Sequence, residues 1–281
     1  MNFVNPKNDI AFKKIFGNEK KKEILISFLN AVLDLKGVKE IQTLEILNPY
    51  QIPHVVDLKE SSLDVRAVDK GGVTFIVEMQ VERKPFLRQR FTFYVAKAYS
   101  SQIEKAVDYP KLNQVIFIGV FDFKEFNNEH YLSRHLVLNC ETLEQELREI
   151  EFNFIELPKF TKKASELKTI LDKWIYFIKH AEDLEVIPEH ADTQALQTAY
   201  DVASRFHWTK QELEVMEYWE MRERADQDKR QAAYDKGKKM GDKKGRFAEK
   251  QEIARNLLAK GIEPAIVAET TGLSSADLTA L

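Results

Sequence analysis

Apolar residues recur at helical spacing through Ile10, Phe12, Ile15 and Phe16, and again through Ile24, Leu25, Phe28, Leu29, Val32 and Leu33. Asn8 or Asp9 is the expected N-cap, Gly17 divides the stretch into two helices, and Gly37 is expected to end the second. Leu44 to Leu47 reads as a short strand. Ser62 to Asp69 and Val73 to Val81 read as two strands joined by Lys70-Gly71-Gly72. From Pro85 to about Val107 the spacing is helical again, through Phe86, Leu87, Phe93, Tyr94, Tyr99 and Ile103. Gln114 to Phe121 is an unbroken apolar run of strand length, suited to the middle of a sheet covered on both faces. Tyr131 to Leu138 and Phe152 to Leu157 are further strand candidates. This order of elements predicts a mixed α/β layer structure.

The pattern changes after Pro158. Leu167 to Ile178 is a strongly amphipathic helix, Thr193 to Phe206 and Glu212 to Met221 are also helical, and no strand signal follows. The expected organisation is an α/β core over residues 1–160, a helical region over 161–230 packed on or beside it, and a basic tail over 231–281. A boundary is expected near Asp226. In that tail Gly237, Gly241 and Gly245 repeat every four residues among lysines, and Ile253 to Leu281 reads as two or three short helices.

Composition adds bounds. The chain has 281 residues, 44% of them hydrophobic, enough for one sizeable core or one core with an appendage. A net charge of −3 gives no overall attraction for nucleic acid, so any DNA contact must come from local patches. Cys140 is the only cysteine, which excludes a disulfide framework and a cysteine metal site and suits a cytoplasmic setting. The N-terminus lacks a signal-peptide pattern and no apolar run is long enough for a bilayer, so secretion and a membrane partner are not expected.

The chemistry concentrates on the hairpin. Alternation puts Thr74, Ile76, Glu78 and Gln80 on one face of a strand that is apolar on both sides at its centre. A carboxylate there is costly unless something answers its charge, and Asp64, between Leu63 and Val65, has the same problem. Loop length decides whether they meet. A two-residue Gly71-Gly72 turn pairs Asp64 with Met79 and sends the acids to opposite faces. A three-residue turn, Lys70-Gly71-Gly72, wants glycine last and pairs Asp64 with Glu78. The three-residue register is the expected one. Two buried carboxylates side by side then call for a hard divalent cation, Mg²⁺ or Mn²⁺. Such a cation polarises a phosphate oxygen and lowers the pKa of a bound water. Gln80 can hydrogen-bond that water or the phosphate, but it carries no charge and is no base. The alternative is a pair of edge-strand acids that face water or are salt-bridged to Lys59 or Arg66.

Leu63-Asp64-Val65-Arg66, the glycine turn and Ile76-Val77-Glu78-Met79-Gln80-Val81 resemble the active-site hairpin of the PD-(D/E)XK nuclease superfamily, in the variant with Gln in place of Lys. Three further features resemble its recombination-promoting nuclease/putative transposase (Rpn) family. They are Asn8-Asp9-x-x-Phe12-Lys13-x-x-Phe16, the run from Arg88 through Tyr94, Lys97 and Tyr99 to Tyr109-Pro110, and the glycine-spaced lysine tail. The resemblance covers residues 1 to about 125 and returns after about 230. It implies a restriction-endonuclease-like mixed central sheet flanked by helices, metal-dependent DNA cleavage, and a link to recombination or transposition. It makes Asp64 and Glu78 the metal ligands and puts Gln80 where most of the superfamily has its catalytic lysine. The missing cation would come from Lys13, Arg88 or Lys97. Asp9 is either a third acidic group or an N-cap.

The remaining signals are open. The six histidines, His54 among them, show no ligand spacing. Lys238, Lys239, Lys243 and Lys244 lie either along a DNA backbone or on a solvated helix or linker. The end of the chain, around Thr271-Gly272-Leu273-Ser274, resembles the turn of a helix-turn-helix. Its second helix has Asp277 and no Lys or Arg, so a helical hairpin for homo-oligomer contact is an equal reading. The expected function is a metal-dependent DNA endonuclease. The competing readings are an inactive DNA-binding or assembly protein with the same fold, and a helical scaffold.

Overall fold

The structure is a computed structural model describing residues 2–48, 50–51, 61–103, 109 and 112–281. His54, Lys59, Pro110 and the expected helix end near Val107 lie outside them. The chain divides into two compact units, Met1–Met216 and Glu217–Leu281.

The first unit opens with α1 (Asp9–Phe16) and α2 (Lys22–Leu33). Asn8 is the cap of α1: its side-chain oxygen accepts from the backbone N–H groups of Ile10 and Ala11. Asp9, the alternative cap, is instead the first helical residue. The left-handed cap expected at Gly37 falls on Asp34, φ +52°, whose short polar side chain tolerates that conformation. Gly37 opens a short 3₁₀ turn instead.

Strand β1 (Leu44–Leu47) follows, then a separate two-stranded pair of β2 (Tyr50–Gln51) and β3 (Ser61–Ser62). The strand expected over Ser62 to Asp69 is therefore split. Its regular part, β4, is Val65–Asp69, and Asp64 sits in a bend. Packing explains the break. Leu63 joins the apolar cluster on one face of the sheet and Val65 the cluster on the other, so alternation fails at Asp64. Strand β5 (Thr74–Gln80) pairs antiparallel with β4.

Helix α3 (Leu87–Ser100) leads on towards β6 (Val115–Phe121), which runs parallel to β5. Strands β7 (Leu132–Leu136) and β8 (Ile150–Glu156) complete a six-stranded mixed sheet of order β1-β4-β5-β6-β8-β7. Every residue of β5 and β6 is buried, as the apolar run of β6 requires.

Each face of the sheet has its own cover. Ile76, Phe117, Phe121 and Phe154 pack against Leu87, Phe91 and Val95 of α3. Phe75, Val77, Met79, Ile116, Ile118 and Val120 pack on the other face with α1, α2, α4 (Ile170–His180) and α5 (Gln194–Ala203). Helices α4 and α5, both beyond residue 160, thus share the core of the first unit. Trp174 of α4 lies 5.9 Å from the ring of Phe16 and 6.0 Å from that of Phe28.

Helix α6 (Lys210–Ala259) is continuous through Asp226, where a boundary was expected. No proline interrupts it, and Gly237, Gly241 and Gly245 meet no neighbouring atoms, so each costs only its lower helix propensity. In the second unit, α7 (Pro264–Thr271) and α8 (Ser275–Thr279) close a small core of Ala254, Val267 and Leu273.

The β4–β5 turn fixes the register. Asp69 N–H donates to the Val73 carbonyl at 3.1 Å, and Val65 pairs with Val77, so the loop is Lys70-Gly71-Gly72 and Asp64 lies across from Glu78. Gly72 has φ +84°, and a Cβ there would stand 2.5 Å from the Asn113 side chain. Gly72→Ala is therefore expected to lower stability by about 1–3 kcal/mol, read as a shifted urea midpoint. An unchanged midpoint would mean that the turn is not under this constraint.

Candidate active site

Two carboxylates, one amide and one ammonium meet at the end of the hairpin. Glu78 is on β5, facing the α3 side with Ile76. Its Oε1 accepts from Asp64 N–H at 3.1 Å, and in return Asp64 Oδ2 accepts from Met79 N–H at 2.8 Å. Each acid thus holds the other's strand, and the bend at Asp64 makes this exchange possible. Gln80 lies on the same face, its amide Nε2 donating to Glu78 Oε2 at 3.4 Å. Beside Glu78 on β6 stands Gly119, and the rings of Phe121 and Phe154 close over it. Glu78 itself is only 2% exposed.

Lys13 enters from α1. Its Nζ lies 3.4 Å from Asp64 Oδ1 and 2.8 Å from Asp9 Oδ1, one helical turn back. Burial works against this ammonium, but the carboxylates of Asp9 and Asp64 outweigh it and raise its pKa. Lys13 therefore stays a cation at neutral pH. Asp9 reaches the site through Lys13 and also acts directly on Asp64, and it is not the helix cap.

Burial pushes the Asp64 carboxyl up to about 6, against the pull of Lys13 and the Met79 N–H, and Asp9 adds to the rise. Burial, then the charge on Asp64, holds Glu78 well above the usual carboxylate range. Arg90 acts in the opposite direction on Glu78 and donates to Tyr94 Oη at 2.9 Å.

The other expected cations lie elsewhere. Arg88 Nε donates to Glu125 Oε1 at 2.6 Å, and Arg83 is ion-paired with the same carboxylate. Lys97 lies over the ring of Phe93. Arg66 forms no ion pair with either acid among the described residues. Arg90 was missed in the sequence, though its spacing was informative. Leu87, Phe91, Tyr94 and Ala98 form the buried stripe of α3, and Arg88 and Arg90 flank that stripe on opposite edges. Lys238, Lys239, Lys243 and Lys244 are exposed on α6.

The donor set suits a hard cation. Among the described residues no group of three or more His, Cys, Asp or Glu is arranged to hold a metal ion. Asp64 and Glu78 still offer carboxylate oxygens whose charge is under-compensated, and Mg²⁺ is commonly held by one or two carboxylates with water and phosphate completing its shell.

Residues 6–235 match the family model described as PD-(D/E)XK nuclease family transposase. The chain belongs to the PD-(D/E)XK nuclease family transposases. Its mixed sheet with flanking helices is accordingly restriction-endonuclease-like. Residues 247–281 match the C-terminal HTH domain of the Rpn/YhgA-like nuclease family, the region containing α7, α8 and the turn between them. No curated protein and no solved structure matches the chain. Among the described residues no helix is long and apolar enough to cross a membrane.

For this PD-(D/E)XK chain the raised carboxyl pKa values carry a stability cost without metal. Folded Asp64 holds its proton up to about pH 6, whereas the unfolded chain releases it near about 3.9. The folded state binds more protons in that window, so stability falls as pH rises through it. Asp64→Asn keeps an oxygen for the Met79 N–H. In chelator it should be more stable than the native chain at pH 8, by about 1–3 kcal/mol, with the gap closing towards pH 4. A gap that stays constant with pH, measured by thermal or urea unfolding, would refute the assignment.

Proposed function

We propose that this chain is a divalent-metal-dependent DNA endonuclease acting in recombination or transposition, in a cytoplasmic setting, with Asp64 and Glu78 as its metal-holding carboxylates. One observation carries the reading: a buried and a half-buried acid, each bonded to the other's backbone neighbourhood, lie beside a lysine brought in from another element. Mg²⁺ or Mn²⁺ bound there would supply Lewis-acid polarisation of the scissile phosphate.

The chain's own residues do the rest. Lys13 stays protonated, so it serves as a fixed positive charge for the developing phosphorane oxygens and not as a base. It thereby takes over from α1 the charge that Gln80 cannot carry. Asp9 anchors Lys13 through the 2.8 Å contact. Gln80 spends its amide N–H on Glu78 and keeps its carbonyl to orient a water. The exposed cations on α6 and the HTH domain add contacts to duplex DNA, and the short C-terminal helices α7 and α8 are the proposed surface for a homo-oligomer.

A second reading, a DNA-binding protein that has lost cleavage, draws on Lys13 itself, which already neutralises Asp64. Supercoiled plasmid with Mg²⁺ or Mn²⁺ separates the two. The native chain should nick it, and Asp64→Ala and Glu78→Ala should each reduce the rate by at least about a hundredfold. DNA binding with no cleavage under any divalent metal would favour the second reading. Nicking that survives both substitutions would remove this site altogether.

Lys13→Met tests the ammonium separately. Loss of one charge aimed at the transition state should lower kcat by about 10²–10³-fold with little change in KM. A rise in KM alone would assign Lys13 to DNA binding.

A further inference from the structure

Helical geometry sorts the lysine-rich stretch of α6 into faces. At about 100° per residue, Lys236, Lys239, Lys243 and Arg246 fall within about 80° of one another. Lys238 and Lys244 point about 120° to either side of the middle of that stripe. The side chains agree: Lys236, Lys239 and Lys243 line one shallow groove with Ala232, Asp235 and Met240. All four stripe cations are exposed, and none is in an ion pair among the described residues. Asp235, Asp242 and Glu249 fall beside the stripe on one edge only. Lys250, the next cation along, turns instead towards Gly272 at the end of α7.

The stripe has the dimensions of a phosphate track. Its cations follow one another at three, four and three residues, so they span about 15 Å of helix axis. A DNA strand presents one phosphate per about 3.4 Å of its own axis, so this length passes about four of them.

A second copy of the helix is a poor occupant. Ala233, Met240 and Phe247 repeat every seven residues, but the positions that would complete a coiled-coil seam hold Lys236, Lys243 and Lys250. Two such seams would set cations against cations. The HTH end is equally unable to supply phosphate contacts from α8, which contains Asp277 and no Lys or Arg.

We propose that the Lys236–Lys239–Lys243–Arg246 stripe of α6 is a sequence-independent binding site for the DNA phosphate backbone, separate from the carboxylate site. Lys238 and Lys244 lie outside it. The site anchors the chain on DNA that α8 alone would hold weakly.

The test compares two charge-matched double variants of the full chain, Lys239→Gln with Lys243→Gln and Lys238→Gln with Lys244→Gln. Glutamine keeps helix propensity close to that of lysine, and circular dichroism verifies the helix. Binding to a random-sequence duplex is followed by fluorescence anisotropy across a salt series in chelator, so cleavage plays no part. The on-stripe pair should lose about tenfold in affinity at 0.1 M salt, and the magnitude of its log–log salt slope should fall by about two, at about 0.9 per phosphate contact. The off-stripe pair should lose less than half as much on either measure. Equal losses in the two pairs, or no loss in the on-stripe pair, would overturn the proposal. Failure of the nuclease reading would look different: no nicking with metal, and an unaltered difference between the two pairs here.

Discussion

A carboxylate on an interior strand cannot be left to itself. Glu78 stands on a strand buried along its whole length, between a helix-covered face and the rings beside Gly119. Removing that charge from water is unfavourable by several kcal/mol unless hydrogen bonds and a counter-charge answer it. Much of the local architecture meets this requirement. The bend at Asp64 turns its N–H towards Glu78 and its carboxylate towards Met79 N–H. The glycine turn places the two residues opposite each other, and α1 presents Lys13. Arg90 adds a more distant positive charge from α3.

The compensation is incomplete, and the incompleteness is informative. Both carboxyls remain shifted upward even with Lys13 present. A purely structural pair would be better served by apolar residues of similar volume. On the function proposed above, the last increment of positive charge comes from a bound cation. The buried Glu156 offers a contrast within the same sheet. It accepts from the N–H groups of Glu125 and Phe126 and pairs with buried Lys159, so its charge is fully answered by the chain. It needs nothing further and holds a loop in place.

The sheet and the register were legible in the sequence because both follow from local rules. The apolar run of β6 has one economical position, the middle of a covered sheet. Lys70-Gly71-Gly72 has one favoured turn geometry, with a positive φ at its last residue. What escaped were features set by packing between distant segments. No pattern around Asp64 announces that Leu63 and Val65 pack on opposite faces and force a bend. The left-handed cap at Asp34 gave no signal stronger than the nearby Gly37. Lys13, Arg88 and Lys97 were equivalent as sequence, and only the docking of α1 distinguishes the first from the other two. The continuity of α6 through Asp226 escaped because the stretch from Arg222 to Lys236 is mostly polar and offers no apolar stripe to follow.

Phe12 and Lys13 are consecutive residues with opposite duties. Phe12 is wholly buried and lies against Phe16, which packs in turn on Phe28 and on Trp174 from α4. The rotation of α1, and with it the position of the Lys13 ammonium, is thus set by side chains contributed from beyond residue 160. A fragment cut at the end of the sheet would retain Asp64, Glu78, Gln80 and Lys13 while losing the surface that orients α1. The smallest autonomous piece of this protein is therefore defined by what holds one helix in phase, and it extends at least through α4.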